Sequence, residues 1–153
     1  DHVRERLASP LMQRALNTSV PAWLARFGAL FVGNRTMEAV LKEIIFDHTL
    51  VTPAVLDRSN RNRQREDMIT PLMSLRDSLP LWEQHFAPRL KEIRHPTLIL
   101  WGEQDRLFPP QVGRDLQTTI PQARLIMIPE AGHIPQWEQP QVVNRHITEF
   151  LQP

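Results

Sequence analysis

Two residues frame the chemistry open to this chain: Asp105, which ends the stretch Thr97–Asp105 (TLILWGEQD), and His133, which ends Pro129–His133 (PEAGH). A carboxylate beside an imidazole holds the ring in one tautomer and stabilises the imidazolium that forms when the ring takes a proton from a hydroxyl. Such a pair is the orienting half of a nucleophilic triad. Each residue also has an ordinary alternative. A carboxylate that follows a strand and a glycine can simply close an Asx-turn, and most histidines are surface or satisfied core residues. Glu103 competes with Asp105 for the role of acid, but it lies one residue past Gly102, where the backbone is still leaving the strand.

The elements around them form one unit. Thr97–Trp101 is a short apolar run of strand type that Gly102 ends, and Arg124–Ile128 is a second. Between them Pro110 suits a first helical turn, and Val112, Leu116 and Ile120 recur on one helical face. Strand, helix and strand in that order predict a right-handed crossover between parallel strands. Functional groups in open α/β sheets gather beyond the carboxyl ends of the strands. Asp105 and His133 are therefore expected to project from the same edge. A last helix opens at Pro140, where Val142, Val143, His146, Ile147, Phe150 and Leu151 form an amphipathic face suited to packing on a sheet.

The earlier part reads as helical throughout. Residues 1 to about 17 place Leu7, Leu11 and Leu16 broadly on one face. A second helix starts at Pro21 with Trp23, Phe27, Leu30 and Phe31, and Gly33-Asn34 is read as its stop. Met37, Val40, Leu41, Ile44 and Ile45 mark a third helix, and Thr52-Pro53 caps a fourth that is expected to reach about Arg65. One more is expected from Met68 to Leu79, and a short one from Leu81 to Ala87. No strand precedes Thr97 in this reading, and no internal repeat is visible.

Composition narrows the partners. With 41% hydrophobic and 23% charged residues the chain falls near globular values, so disorder is not indicated. A formal net charge of +1 implies neither a nucleic-acid nor a membrane partner. No apolar run approaches the ~18 residues of a membrane span. The absence of cysteine rules out disulfides, thiolate metal sites and a Cys nucleophile in this chain, and leans toward a reducing, cytoplasmic setting. No spacing of metal ligands such as H-E-x-x-H occurs, so neither a metal nor another cofactor is expected.

The segments Leu100–Pro109 (LWGEQDRLFP) and Gly132–Pro140 (GHIPQWEQP), followed by Val142–Leu151, resemble the C-terminal end of an α/β-hydrolase. The resemblance is specific over about residues 93 to 152 and looser before them. It implies an α/β fold of which this chain is the C-terminal part, with few parallel strands and a helical cap inserted after the sixth strand of the core. Residues 1–78 would be that cap and residues 79–153 the returning core. Asp105 would be the triad acid and His133 the triad base. In this fold the chain order is Ser, then the acid, then His, and none of Gly28, Gly33, Gly102, Gly113 and Gly132 brackets a Ser in a G-x-S-x-G elbow. The nucleophile and the oxyanion hole are thus expected outside this chain. The closest likeness is to carboxylesterases and to the C–C bond hydrolases that act on ring-cleavage products, which implies a small apolar ester-like or ring-cleavage substrate. Haloalkane dehalogenases and epoxide hydrolases share the architecture with an Asp nucleophile, and they stay open at this point.

Further residues are candidates for a substrate pocket. Ile134 and Trp137 follow His133 directly, and in similar enzymes that loop lies beside the nucleophile. Phe31 and Met73, with Phe27, Met68, Leu72 and Trp82, would line an apolar pocket under the cap, although stripes at helical spacing are more often core. Arg58, Arg61, Arg63 and Arg65 would capture a carboxylate in a functional reading and form a solvated helix face in the plainer one. His48 beside Asp47 is a second acid and imidazole, with no nucleophile motif nearby. His2, His85, His95 and His146 are read as surface or packing residues. Two strands with unpaired edges make a poor sheet. The chain is therefore expected to sit against a missing N-terminal half or a second copy of itself. The alternative function is a catalytically inactive folding or oligomerisation module whose apolar helices associate.

Overall fold

The structure, a computed structural model, describes residue 13, residues 34–63 and residues 69–152. The two helices expected before residue 33 lie outside the described residues, as does Phe31. Helix α1 spans Asn34–Ile44. The stop expected at Gly33-Asn34 depends on residues before Asn34, which lie outside the described residues. Ile45, just past its end, is buried to 2% exposure and donates its N–H to the Leu41 carbonyl at 2.9 Å. A 3₁₀ turn, His48–Leu50, follows with Asp47 as its N-cap. Helix α2 covers Pro53–Arg63, and the Thr52 hydroxyl accepts the Val55 N–H at 3.4 Å in its first turn.

Helix α3, Ile69–Leu81, runs on without a break into a π turn at Trp82–Phe86 and a 3₁₀ segment at Ala87–Glu92. The sequence predicts a gap between Leu79 and Leu81, where Pro80 stands. Pro80 instead sits inside the helix. The missing N–H of proline removes one rung of the ladder, and the wider π turn begins two residues later, a common form of relaxation at an interrupted ladder.

Strand β1 (Thr97–Gly102), helix α4 (Pro110–Thr119) and strand β2 (Ala123–Ile128) form the expected unit. The strands are parallel, in register from Thr97↔Ala123 to Gly102↔Ile128. They make up a two-stranded sheet. A one-turn helix, α5 (Pro135–Glu138), is additional to the sequence reading, and helix α6 (Pro140–Leu151) matches it. No helix among the described residues is long and apolar enough to cross a membrane.

Alternation along the strands sorts their side chains between two helical layers. Leu100, Ile126 and Ile128 share one face and pack with Val143 and Val142 of α6, together with Ala131. Trp101 points to the other face, where Gly113 of α4 lies so close that an added Cβ would stand 3.0 Å from the indole. Its indole N–H donates to the Phe108 carbonyl at 3.2 Å. Along both strands only the last residues, Gly102 and Ile128, are buried, and the side chains before them are half-buried or exposed. The well-packed end of the sheet is therefore the carboxyl end.

Ile128, at 0% exposure, anchors that end. Ile128→Ala should lower stability by about 2–5 kcal/mol through lost burial and the cavity left behind. Leu151→Ala, at a residue 73% exposed, should change it by less than about 0.5 kcal/mol. Urea midpoints of the two variants check the contrast.

Candidate active site

The register fixes where the two post-strand loops meet. Because Gly102 pairs with Ile128, the chain leaves β1 and β2 at the same height. The Glu103 N–H donates to the Ile128 carbonyl at 3.0 Å, and the Gln104 N–H to the Ala131 carbonyl at 2.9 Å. Gln104 returns a bond from its side chain, whose Oε1 accepts the Ala131 N–H at 3.1 Å. The loops lie so close that a Cβ on Gly102 would fall inside the carbonyl oxygens of Gly132 and Ala131. Glu130 turns the chain here with φ of 53°, in the left-handed region.

Asp105 then faces inward. It is 7% exposed, and its Oδ1 accepts the N–H groups of Leu107 at 2.8 Å and Phe108 at 2.9 Å. This is an Asx-turn, so the ordinary reading of the residue holds as well. The turn occupies one oxygen and leaves the other free to act. Oδ2 stands 3.0 Å from Nδ1 of His133. The side chain of His133 keeps 34% exposure while that of Asp105 keeps 4%. A carboxylate at Nδ1 favours the tautomer with the proton on that nitrogen and leaves the Nε2 lone pair as the basic end. The Phe108 ring flanks the imidazole, with centroids 5.7 Å apart and planes tilted by 41°.

The structure separates the other candidates. Glu103 is exposed and brings only its backbone to the site. Asp47 accepts the hydroxyl of Thr49 at 2.6 Å and its N–H at 2.9 Å. These two bonds hold its carboxyl below the ordinary carboxylate range. His48 meets the Lys42 carbonyl through Nε2 at 2.9 Å, so Asp47 and His48 do not form a dyad. His85 and His95 are exposed, and His146 pairs with Glu149 within α6 at 3.3 Å. Arg58 and Arg61 are exposed on α2. Ile134, which precedes α5, and Trp137, within it, are half-buried, and the Trp137 N–H donates to the Ile134 carbonyl at 2.9 Å. Met73 lies within α3, but its side chain falls outside those described. Leu107 and Phe108, in the motif that contains Asp105, also belong to the site through their N–H groups.

A second buried acid lies close by. Glu138, on α5, is 9% exposed. Its carboxylate accepts the Gly132 N–H at 2.8 Å, the Phe46 N–H at 2.6 Å and the Asp47 N–H at 3.2 Å. No periodicity marks it. The only signal was its place in the segment Gly132–Pro140.

Residues 10–140 match the profile of the α/β hydrolase fold family. Among curated relatives, a 2-hydroxy-6-oxononadienedioate/2-hydroxy-6-oxononatrienedioate hydrolase from Comamonas testosteroni is 32% identical over 117 residues, which cover 76% of this chain and 41% of that protein. A 2-hydroxy-6-oxo-6-phenylhexa-2,4-dienoate hydrolase from Burkholderia cepacia is 33% identical, with the same coverage of both chains. Among solved structures, the 2-hydroxy-6-oxo-6-phenylhexa-2,4-dienoate hydrolase of a Rhodococcus species superposes with a TM-score of 0.62 at 18% identity, over 90% of this chain and 51% of that one. The fold is shared at that level. The chain spans less than half the length of the curated relatives it matches.

Asp105→Asn should disturb the tautomer of His133 while keeping an oxygen for the turn. Imidazole ¹⁵N shifts should report a proton fixed on Nδ1 in the parent chain and on Nε2 in the variant, whose amide N–H₂ faces Nδ1. Asp105→Ala should in addition lower stability by about 1–3 kcal/mol, because it strips the buried turn N–H groups of their acceptor.

Proposed function

The chain belongs to the α/β-hydrolase fold family, and on that premise we propose that Asp105 and His133 are the acid and base of a Ser-His-Asp triad. The observation that carries this is the 3.0 Å approach of His133 Nδ1 to Asp105 Oδ2 at the joined carboxyl ends of β1 and β2. A Ser from sequence outside this chain attacks the carbonyl carbon of an ester or an activated C–C bond, and His133 takes the hydroxyl proton. The bond to the leaving alcohol or carbon breaks, and His133 returns the proton to it. Water, deprotonated by the same ring, then releases the acid. Residues 1–78 act as the cap, with Phe31 and Met73 on the substrate pocket together with Ile134 and Trp137. The relatives' names favour a ring-cleavage product as substrate, and a carboxylesterase reaction would use the same groups.

A second reading is a non-catalytic association module. It is favoured by the large apolar side chains left exposed along α3 and the π turn: Leu75 at 55%, Leu81 at 53%, Trp82 at 55% and Phe86 at 48%. Trp82 and Phe86 pack against one another there, with centroids 5.0 Å apart and planes tilted by 42°.

The two readings separate in one experiment that combines native mass with turnover of a short-chain aryl ester and of a ring-cleavage dienoate. The triad reading expects turnover and fluorophosphonate labelling when an N-terminal half bearing the Ser elbow is supplied. It also expects loss of about 10⁴-fold or more in His133→Ala. A stable oligomer without turnover under every condition would favour the module. A folded, active monomer of this chain alone would overturn the placement of the nucleophile elsewhere.

A further inference from the structure

We propose that Glu138 is a positioning residue that sets the place of His133. The inference rests on the role proposed for His133, but not on any activity of Glu138 itself. Three backbone N–H groups from two separate segments converge on its buried carboxylate. Oε1 takes the Gly132 N–H at 2.8 Å, one residue before the imidazole. Oε2 takes the N–H groups of Phe46 at 2.6 Å and Asp47 at 3.2 Å, about ninety residues earlier in the chain.

The same two segments are also bonded directly, since the His133 N–H donates to the Ile44 carbonyl at 2.7 Å. They lie in such close contact that a Cβ on Gly132 would stand 2.6 Å from the Ile44 oxygen and 3.0 Å from the Phe46 nitrogen. Glu138 therefore closes residues 132–138 into a ring through its own side chain and fastens that ring to the exit of α1. The backbone of His133 is held on both sides, by Glu138 through Gly132 and by Ile44 directly. With its backbone fixed, the ring reaches Asp105 from one direction only.

The chemistry of the acceptor explains why the residue is an acid. Both oxygens face N–H donors, one on each segment. A carboxylate offers acceptors on both sides, whereas an amide offers one oxygen and turns its own N–H₂ against the other donor. Glu138→Gln should therefore keep the volume and lose one of the two attachments. Glu138→Asp, shorter by one methylene, should fail to span both.

The first test uses the full chain without substitution. The Gly132 and Phe46 amides should exchange with solvent as slowly as the paired strand amides of β2. If both exchange as fast as exposed loop amides, the attachment does not exist and the proposal falls. The second test is Glu138→Gln, read by the His133 Nδ1 proton and ring ¹⁵N shifts, with Asp105→Asn as the control for assignment. Loss or broadening of the Nδ1–H signal, with the amides of β1 and β2 in place, supports a positioning role. An unchanged Nδ1–H signal in Glu138→Gln overturns it. With the N-terminal half supplied, the variant should lose about 10²-fold in kcat at little changed KM, as expected for a misplaced catalytic group. A change in KM alone would overturn the role as well. If His133→Ala proves fully active in that assay, the triad reading fails, and the Nδ1–H result then decides the Glu138 inference by itself.

Discussion

Everything at the site depends on how closely two loops can approach. The parallel register ends both strands at the same level, so the residues after Gly102 and after Ile128 compete for one space. They share it because Gly102 has no side chain where the Gly132 and Ala131 carbonyl oxygens stand. The bonds from Glu103 to Ile128 and from Gln104 to Ala131 then act as extra rungs beyond the sheet. Asp105 inherits its depth from that closeness, and His133 its reach.

Asp105 and His133 differ sharply in burial. A buried carboxylate is costly unless it is hydrogen-bonded, and Asp105 meets this condition with two N–H groups on one oxygen and the imidazole on the other. Glu138 meets it with backbone donors alone. These two are the buried charged residues among those described, and both bear on the same histidine, one through its ring and one through its backbone neighbour. His133 itself stays partly open to solvent, as the base proposed for it would have to be.

The sequence made some of this legible and hid the rest for definite physical reasons. Thr97–Gly102, Pro110–Thr119, Ala123–Ile128 and Pro140–Leu151 could be read because each has one clear period or a proline at its start. Asp105 and His133 could be paired because strand ends in a parallel unit share an edge. Glu138 could not be found that way. Its partners are backbone N–H groups, which every residue but proline carries, and two of them come from the far end of the described chain. Pro80 misled because proline is read as a break, while here the helix tolerates it and loosens into a π turn. Asp47 and His48 misled in the opposite sense, since adjacency in sequence does not aim two side chains at each other.

The acid, its turn, the crossover helix and the base all fall within residues 97–138, one uninterrupted length of chain. Contacts between near neighbours in sequence form faster than distant ones, because less chain entropy is lost in closing them. Asp105 and His133 can accordingly find one another as soon as the strand-helix-strand unit collapses. The link from Glu138 to Phe46 and Asp47 closes a far longer loop. Closing the short loop to the dyad therefore costs less chain entropy than closing the long one to Glu138.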